Sequence, residues 1–155
     1  MIFAVIRLKG EVNVRKELED TMAKLRLHRK HHCILVEANK SVVNMINRLQ
    51  GYVTWGEISP ASLSVLLQKR GRLPGNQRLT EEYVKAKTGK TIEKLAEDMV
   101  SAKVKLKEVP GLKPVFRLKP PTKGFERFGM KRPYSLGGAV GYRGKDINEL
   151  LQRMI

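Results

Sequence analysis

Ile2-Phe3-Ala4-Val5-Ile6-Arg7-Leu8 opens the chain as an apolar run with β-branched and aromatic members, bounded by Gly10, and reads as a buried strand. Working outward from it, Val14, Leu18, Met22 and Leu25 recur at helical spacing with Asn13 as N-cap, while Glu17, Glu19, Asp20 and Lys24 face elsewhere. The basic segment Leu27 to His32 leads into a second strand, Cys33-Ile34-Leu35-Val36. Ser41 can cap a second helix whose Val42, Met45, Ile46 and Leu49 share one face; Gly51 ends it, and Tyr52 to Trp55 is a third, short strand. The order is βαβαβ. Two right-handed crossovers within about fifty-five residues make a small parallel or mixed sheet with both helices on one face, and the other face then needs cover.

After Gly56 the pattern turns helical. Ser59 caps with Pro60 at the first helical position, Leu63, Leu66 and Leu67 form an apolar stripe, and Gly71 stops it. A turn-rich linker, Arg72 to Leu79, contains Pro74-Gly75-Asn76. Thr80 opens a helix with Glu81 and Glu82 in its first turn, Gly89 ends it, and Thr91 opens another bearing Ile92, Leu95, Ala96 and Met99 on one side. From Lys103 to Val109 lysine alternates with Val104, Leu106 and Val109, a two-residue period that reads as an edge strand with a wet basic face. The prolines and glycines from Pro110 to Gly144 leave little regular structure, so an extended basic arm is expected. Asp146 can cap a closing helix whose Ile147, Leu150, Leu151 and Met154 must dock on the body, and loss of the Arg153 charge is expected to weaken RNA binding much less than loss of Leu150 from that stripe.

Charge narrows the function. The chain carries 31 Lys and Arg against 15 Asp and Glu, a net charge of +16. Between Ser101 and Lys145 twelve Lys and Arg face only Glu108 and Glu126. A compact domain with such an excess repels itself unless a polyanion neutralises it, and phosphate contacts that release counterions are the commonest solution. Anionic membrane is the competitor, but neither a basic amphipathic helix with bulky anchors nor a lipidation signal is present. Arg7 interrupts the opening run Met1 to Ile6 too early for a signal core, and the expectation is a cytoplasmic protein without a membrane span. The single Cys33 fits a reducing compartment.

Catalytic motifs fail on spacing. Gly89-Lys90-Thr91 resembles the end of a phosphate-binding loop, but Val84 stands where the first glycine is required. Gly138, Gly141 and Gly144 lack the opening of a dinucleotide fingerprint. His28, His31, His32 and Cys33 have metal-ligand chemistry, yet His32 and Cys33 would point to opposite sides of a strand, and no second Cys or His cluster completes a zinc site. Cys33 is expected to be a buried strand residue. No catalytic residue, metal or cofactor is expected. What remains is a basic constellation with aromatics interleaved. Lys24, Arg26, His28, Arg29, Lys30, His31 and His32 form an acid-free cluster, and Arg117, Lys119, Lys123, Arg127, Lys131, Arg132, Arg143 and Lys145 lie near Phe125, Phe128, Tyr134 and Tyr142. Guanidiniums bind phosphate bidentately and aromatic rings stack on unpaired bases, a pairing that folded RNA rewards.

Two passages resemble one family. Leu25-Arg26-Leu27-His28-Arg29-Lys30-His31-His32, followed by a strand and Val43-Asn44-Met45-Ile46-Asn47, is similar to the core of large-subunit ribosomal protein thirty, called protein seven in eukaryotes. Phe116-Arg117-Leu118, Gly137-Gly138 and Ile147-Asn148-Glu149-Leu150-Leu151-Gln152-Arg153-Met154 resemble the C-terminal extension of its archaeal and eukaryotic forms. The archaeal form fits best, since the long basic N-terminal extension of eukaryotic relatives is missing. The resemblance implies an α+β fold with a ferredoxin-like βαβαβ core over residues 1–58. An extension over 59–155 follows, made of a helical lobe (59–102), a basic arm (103–145) and a closing helix (146–155). It implies a structural constituent of the large subunit, with 23S ribosomal RNA, 5S RNA nearby and neighbouring ribosomal proteins as partners, and neither membrane nor DNA. It adds Arg15 and Lys16, at the start of the first helix, to the RNA-facing residues named above. The alternatives are a free-standing RNA-binding regulatory module with the same core, or a small nucleotide- or metal-using enzyme, which the broken phosphate loop and scattered carboxylates disfavour.

Overall fold

The computed structural model describes residues 2–155, apart from the side chain of Lys107; Met1, which begins the opening apolar run, lies outside them. The expected core order is present: β1 (Ile2–Arg7), α1 (Lys16–Lys24), β2 (His32–Glu37), α2 (Lys40–Arg48) and β3 (Val53–Glu57). β1 lies in the middle and pairs antiparallel with both β2 and β3. The connection through α1 therefore returns antiparallel, so of the two crossovers expected only the one through α2 joins strands that run the same way, β2 and β3 on either side of β1. Two short strands widen the sheet: β4 (Val115–Arg117) pairs antiparallel with β2, and β5 (Gly141–Tyr142) pairs parallel with β3. The sheet is mixed, in the order β4-β2-β1-β3-β5.

Alternation along the strands divides the core into two layers. On one face Val5, Ile34, Val53 and Trp55 pack with Met22 and Leu25 from α1 and Ile46 and Leu49 from the α2 region. This is the ferredoxin-like arrangement. On the other face Ala4, Ile6, Leu8, Cys33 and Phe116 meet α3 (Pro60–Arg70), α5 (Ile92–Val100) and α6 (Ile147–Met154), with Val84 of α4 (Glu81–Thr88) in the same cluster. Ser59, Thr80 and Thr91 cap α3, α4 and α5 by accepting from the backbone N–H three residues on, and Gly89 closes α4 in the left-handed region at φ 68°.

Several local expectations fail for identifiable reasons. The residues before α1 and α2 are Arg15 and Asn39, and neither Asn13 nor Ser41 caps; Asn13 instead sits in a left-handed turn at φ 59°. The alternating segment after α5 is no strand. It forms a 3-10 turn at Leu106–Glu108, because the β2 edge is taken by β4. The basic arm, expected to be tethered at its two ends, has more attachments than that. It is pinned along its length: Leu118 N–H donates to the His31 carbonyl, Lys119 to Met154, Thr122 to Arg153, and Arg143 to Trp55. Asp146 makes no cap; its carboxylate accepts from the Tyr134 hydroxyl at 2.6 Å. The α6 start is held by Asn148, which donates to the carbonyls of Glu57 and Lys145 and accepts from Ser59 N–H. Gly56 lets β3 approach this turn, since a Cβ there would lie 2.0 Å from the Gly144 carbonyl oxygen. Arg153 is tied to the Gly124 carbonyl and the Glu126 carboxylate, so it too anchors the arm.

The side chains of Ile147, Leu150, Leu151 and Met154 are fully buried, and two carbonyls of the same helix, those of Arg153 and Met154, hold the arm. Leu150→Ala should therefore cost about 2–5 kcal/mol of stability. In hydrogen exchange the Lys119 and Thr122 amides should lose protection before those of β1.

Candidate nucleic-acid interface

The loop from Arg26 to His31 is held by backbone hydrogen bonds at both ends. It begins as the end of α1, where Arg26 N–H bonds the Ala23 carbonyl and Leu27 N–H bonds the Met22 carbonyl, the paired pattern of a Schellman motif. That motif puts one residue in the left-handed region, a place normally given to glycine, and Arg26 fills it at φ 60°. His31 is also left-handed, at φ 62°. Two side chains held in such a conformation cost of order 1 kcal/mol each or more, so neighbouring contacts must hold them there.

Arg7 supplies the hold, and sequence reasoning missed it. Its side chain is 2% exposed and donates to four carbonyls, those of Lys9 at 2.9 Å, Leu27 at 2.7 Å, His28 at 2.9 Å and Gly10 at 3.0 Å. His31 N–H bonds the Arg7 carbonyl at 2.7 Å. The signal available in the sequence was a lone arginine inside an otherwise apolar strand.

The loop opens onto a groove of about 350 Å³ at the β2–β4 edge of the sheet, lined by Arg26, His28, His32, Arg72, Lys113 and Arg117 among others. The β4 register sets Arg117 opposite His32. Four cations and two imidazoles from the loop, the start of β2, the linker and the stretch from Lys113 through β4 thus converge without an acid in the lining. Arg72 and Lys113 were not among the expected site residues, because only the folded linker and β4 bring them here. Burial first, then the charge of Arg117, with His28, Arg29 and Arg7 adding to it, lowers the His32 pKa below the ordinary histidine value. Burial, aided by Lys30, does the same to His31, whose ring lies nearly parallel to Phe125. Nδ1 of His32 faces the Arg29 N–H at 3.4 Å, which leaves Nε2 as the donor of the neutral ring.

The other expected residues separate into groups. Arg29 and Lys30 are exposed on the loop outside the groove lining, and Lys24 is exposed at the end of α1. Arg15 and Lys16 are exposed at its start, roughly 12 Å along the helix axis from Lys24. Lys119 and Lys123 are exposed where the arm leaves β4, and Lys145 is exposed on the turn before α6. Arg127 and Arg132 lie beside the Phe128 ring, and Lys131 is exposed on the turn between them. Arg143 must be withdrawn from the interface. It is 4% exposed, pairs through two nitrogens with Glu126, donates to the Ala139 carbonyl and lies 4.3 Å from the centre of the Tyr134 ring. Burial pushes the Glu126 carboxyl up, but its bonds to Arg143 and the backbone, with the charges of Arg143 and Arg153, outweigh that and hold it below the usual carboxylate range. Cys33 is fully buried, and burial pushes its thiol up to about 12. Among the described residues no three His, Cys, Asp or Glu side chains are grouped to hold a metal ion, and no helix is long and apolar enough to cross a membrane.

Fold and surface together define a small, strongly basic α+β protein that gathers guanidinium and imidazole groups at one edge of its sheet. Residues 3–53 match the family described as ribosomal protein L30p/L7e. Over its full length the chain is similar to proteins named large ribosomal subunit protein uL30. It is 50% identical to that of Methanococcus maripaludis, covering all of both chains. It is 46% identical to that of Methanopyrus kandleri, over 96% of this chain and all of the relative, and 45% identical to that of Archaeoglobus fulgidus, over 99% of each. The chain belongs to the L30p/L7e family of ribosomal proteins. Membership makes it a structural component and not an enzyme.

Two outcomes follow from the loop. Arg26→Gly should relieve the left-handed strain, offset in part by the extra entropy of glycine in the unfolded chain, so denaturant melts should show a net change between zero and a gain of about 1 kcal/mol; a clear loss of stability would show that the Arg26 side chain itself holds the loop. Because the folded-state pKa values of His31 and His32 are lowered, the unfolded chain takes up protons first on acidification. Stability should therefore fall as pH drops through and below the ordinary histidine value of about 6.5. Thermal melts between about pH 7.5 and about pH 5.5 should show this decline, and it should flatten in a variant carrying both His31→Gln and His32→Gln.

Proposed function

We propose that this chain is a structural constituent of the large ribosomal subunit that binds and stabilises ribosomal RNA by charge neutralisation and shape matching. Its RNA partners are the 23S molecule and, close by, 5S RNA, with neighbouring large-subunit proteins around it on the cytoplasmic ribosome. Family membership supports the ribosome, and one observation carries the RNA: the acid-free groove in which Arg26, Arg72, Lys113 and Arg117 surround His28 and His32. Arginine forks can bind phosphate oxygens bidentately, and a neutral His32 can donate from Nε2 to a further oxygen.

The rest of the site follows from what holds the groove in shape. Arg7 fixes the loop from behind, and β4 fixes Arg117, so little ordering remains to be done when RNA arrives. Residues 1–58 act as the RNA-binding core and 59–155 as an extension that shares the same binding surface, since Arg72, Lys113 and Arg117 come from the latter. Arg29 and Lys30 on the loop, and the exposed lysines and arginines around it, widen the positive field that steers a polyanion to the groove.

Replacing Arg26, Arg72 and Arg117 together by Ala should weaken binding to large-subunit RNA and make the log-log dependence on salt shallower by roughly 0.7 to 0.9 for each phosphate no longer neutralised. The triple variant should also fail to cosediment with the large subunit at a salt concentration where the parent stays bound. An unchanged salt slope would remove the groove from the interface.

A further inference from the structure

A second feature stands apart from the groove. Phe128 is 48% exposed, with the Arg132 guanidinium 4.8 Å and the Arg127 guanidinium 5.8 Å from its ring centre. The ring is seated on backbone: a Cβ on Gly137 would lie 2.9 Å from it, and Gly137 is left-handed at φ 78°. The two turns that carry these residues are cross-bonded. Phe128 N–H donates to the Gly137 carbonyl, Ala139 N–H to Gly129, and Gly138 N–H to Pro133. A Cβ on Gly138 would strike the Arg132 carbonyl at 1.9 Å, so the backbone of Arg132 is pressed against that glycine.

Charge separates this feature from an ordinary exposed aromatic. Arg127, Lys131 and Arg132 are all exposed, and the one acid nearby in sequence, Glu126, is turned inward onto Arg143 and Arg153. The platform is thus an exposed ring flanked by cations. Its countercharge is consumed inside the fold.

We propose that Phe128 and Arg132 form a stacking platform for an unpaired base of RNA, distinct from the phosphate-binding groove. A guanidinium held 4.8 Å from a ring centre leaves ring and guanidinium surface for another π-face, and a base brings both that face and an adjacent phosphate for Arg127 or Lys131. A duplex hides its base faces and would gain nothing from the stack. An apolar protein segment would leave three cations unmatched. The inference rests on the RNA reading above and adds that one contact reads an unpaired nucleotide.

The test uses the full chain with two probes, an unstructured twelve-nucleotide RNA containing 2-aminopurine and a blunt duplex RNA with a similar number of phosphates. Phe128→Leu keeps an apolar side chain and removes the ring; Arg132→Lys keeps the charge and removes the plane. Each should weaken the unstructured RNA by about tenfold, leave its salt slope unchanged, abolish the 2-aminopurine quenching seen with the parent, and leave duplex binding as it was. Arg117→Ala, in the groove, should instead make the salt slope shallower for both RNAs. If Phe128→Leu and Arg132→Lys bind the unstructured RNA as the parent does, the platform takes no base and its exposed ring belongs to a protein contact. Equal losses for both RNAs would reduce it to a charge effect and overturn the stack. A parent that binds neither RNA would sink the RNA reading itself, and this inference with it.

Discussion

β1 is apolar on both of its faces and has a strand on either side. Ala4, Val5, Ile6 and Leu8 are fully buried, Val5 toward α1 and α2 and the others toward the opposite layer. A middle strand of this kind cannot leave one face wet, because each large apolar side chain returned to water would cost about 1.5–3 kcal/mol. The first fifty-eight residues supply only one covering layer. The second comes from α3, α5 and α6, so the extension completes the sheet that the core begins. The same need adds β4 and β5 to the sheet edges, and β4 is what carries Arg117 to His32.

The second constraint is charge. With a net charge of +16 the acids are few, and the fold places several of them against cations and hydroxyls. Glu126 joins Arg143 to Arg153, Asp98 pairs with Lys90, and Asp146 and Glu57 accept from Tyr134 and Tyr142. Arg7 is treated differently. It is satisfied mainly by backbone carbonyls, and among the described residues the carboxylate within reach is that of the well-exposed Glu11 at 3.8 Å. Carbonyls meet its donors without cancelling its charge, so a buried cation stands behind a surface that already carries Arg26, Arg29 and Lys30. Such a surface is costly to assemble alone and favourable to neutralise with a polyanion.

The core order, the stripe of α6, the caps Ser59, Thr80 and Thr91 and the buried place of Cys33 were legible in the sequence because each depends on local spacing. What escaped depends on distance along the chain. The antiparallel return of β2 is decided by pairing, not periodicity. The alternation after α5 had the right period for a strand and no free edge to join. The basic loop could be named residue by residue, but Arg72 and Lys113 reach the groove only through the folded linker and β4. Arg143 and Arg153 looked like their exposed neighbours, since a sequence shows a charge and not the carboxylate, here Glu126, that folding brings to it.

The position of α6 bears on the order of events during synthesis. A chain emerges from its amino end, and β1, α1, β2, α2 and β3 can pair and bury their first face as soon as they are free. Their second face, with Ala4, Ile6, Leu8 and Cys33, can be covered in part by α3 and α5 but is complete only when residues 147–154 arrive, and contacts this distant in sequence close slowly. Until then a half-built sheet would expose apolar surface beside a strongly cationic loop, and a nearby polyanion would shield it from association with its own kind.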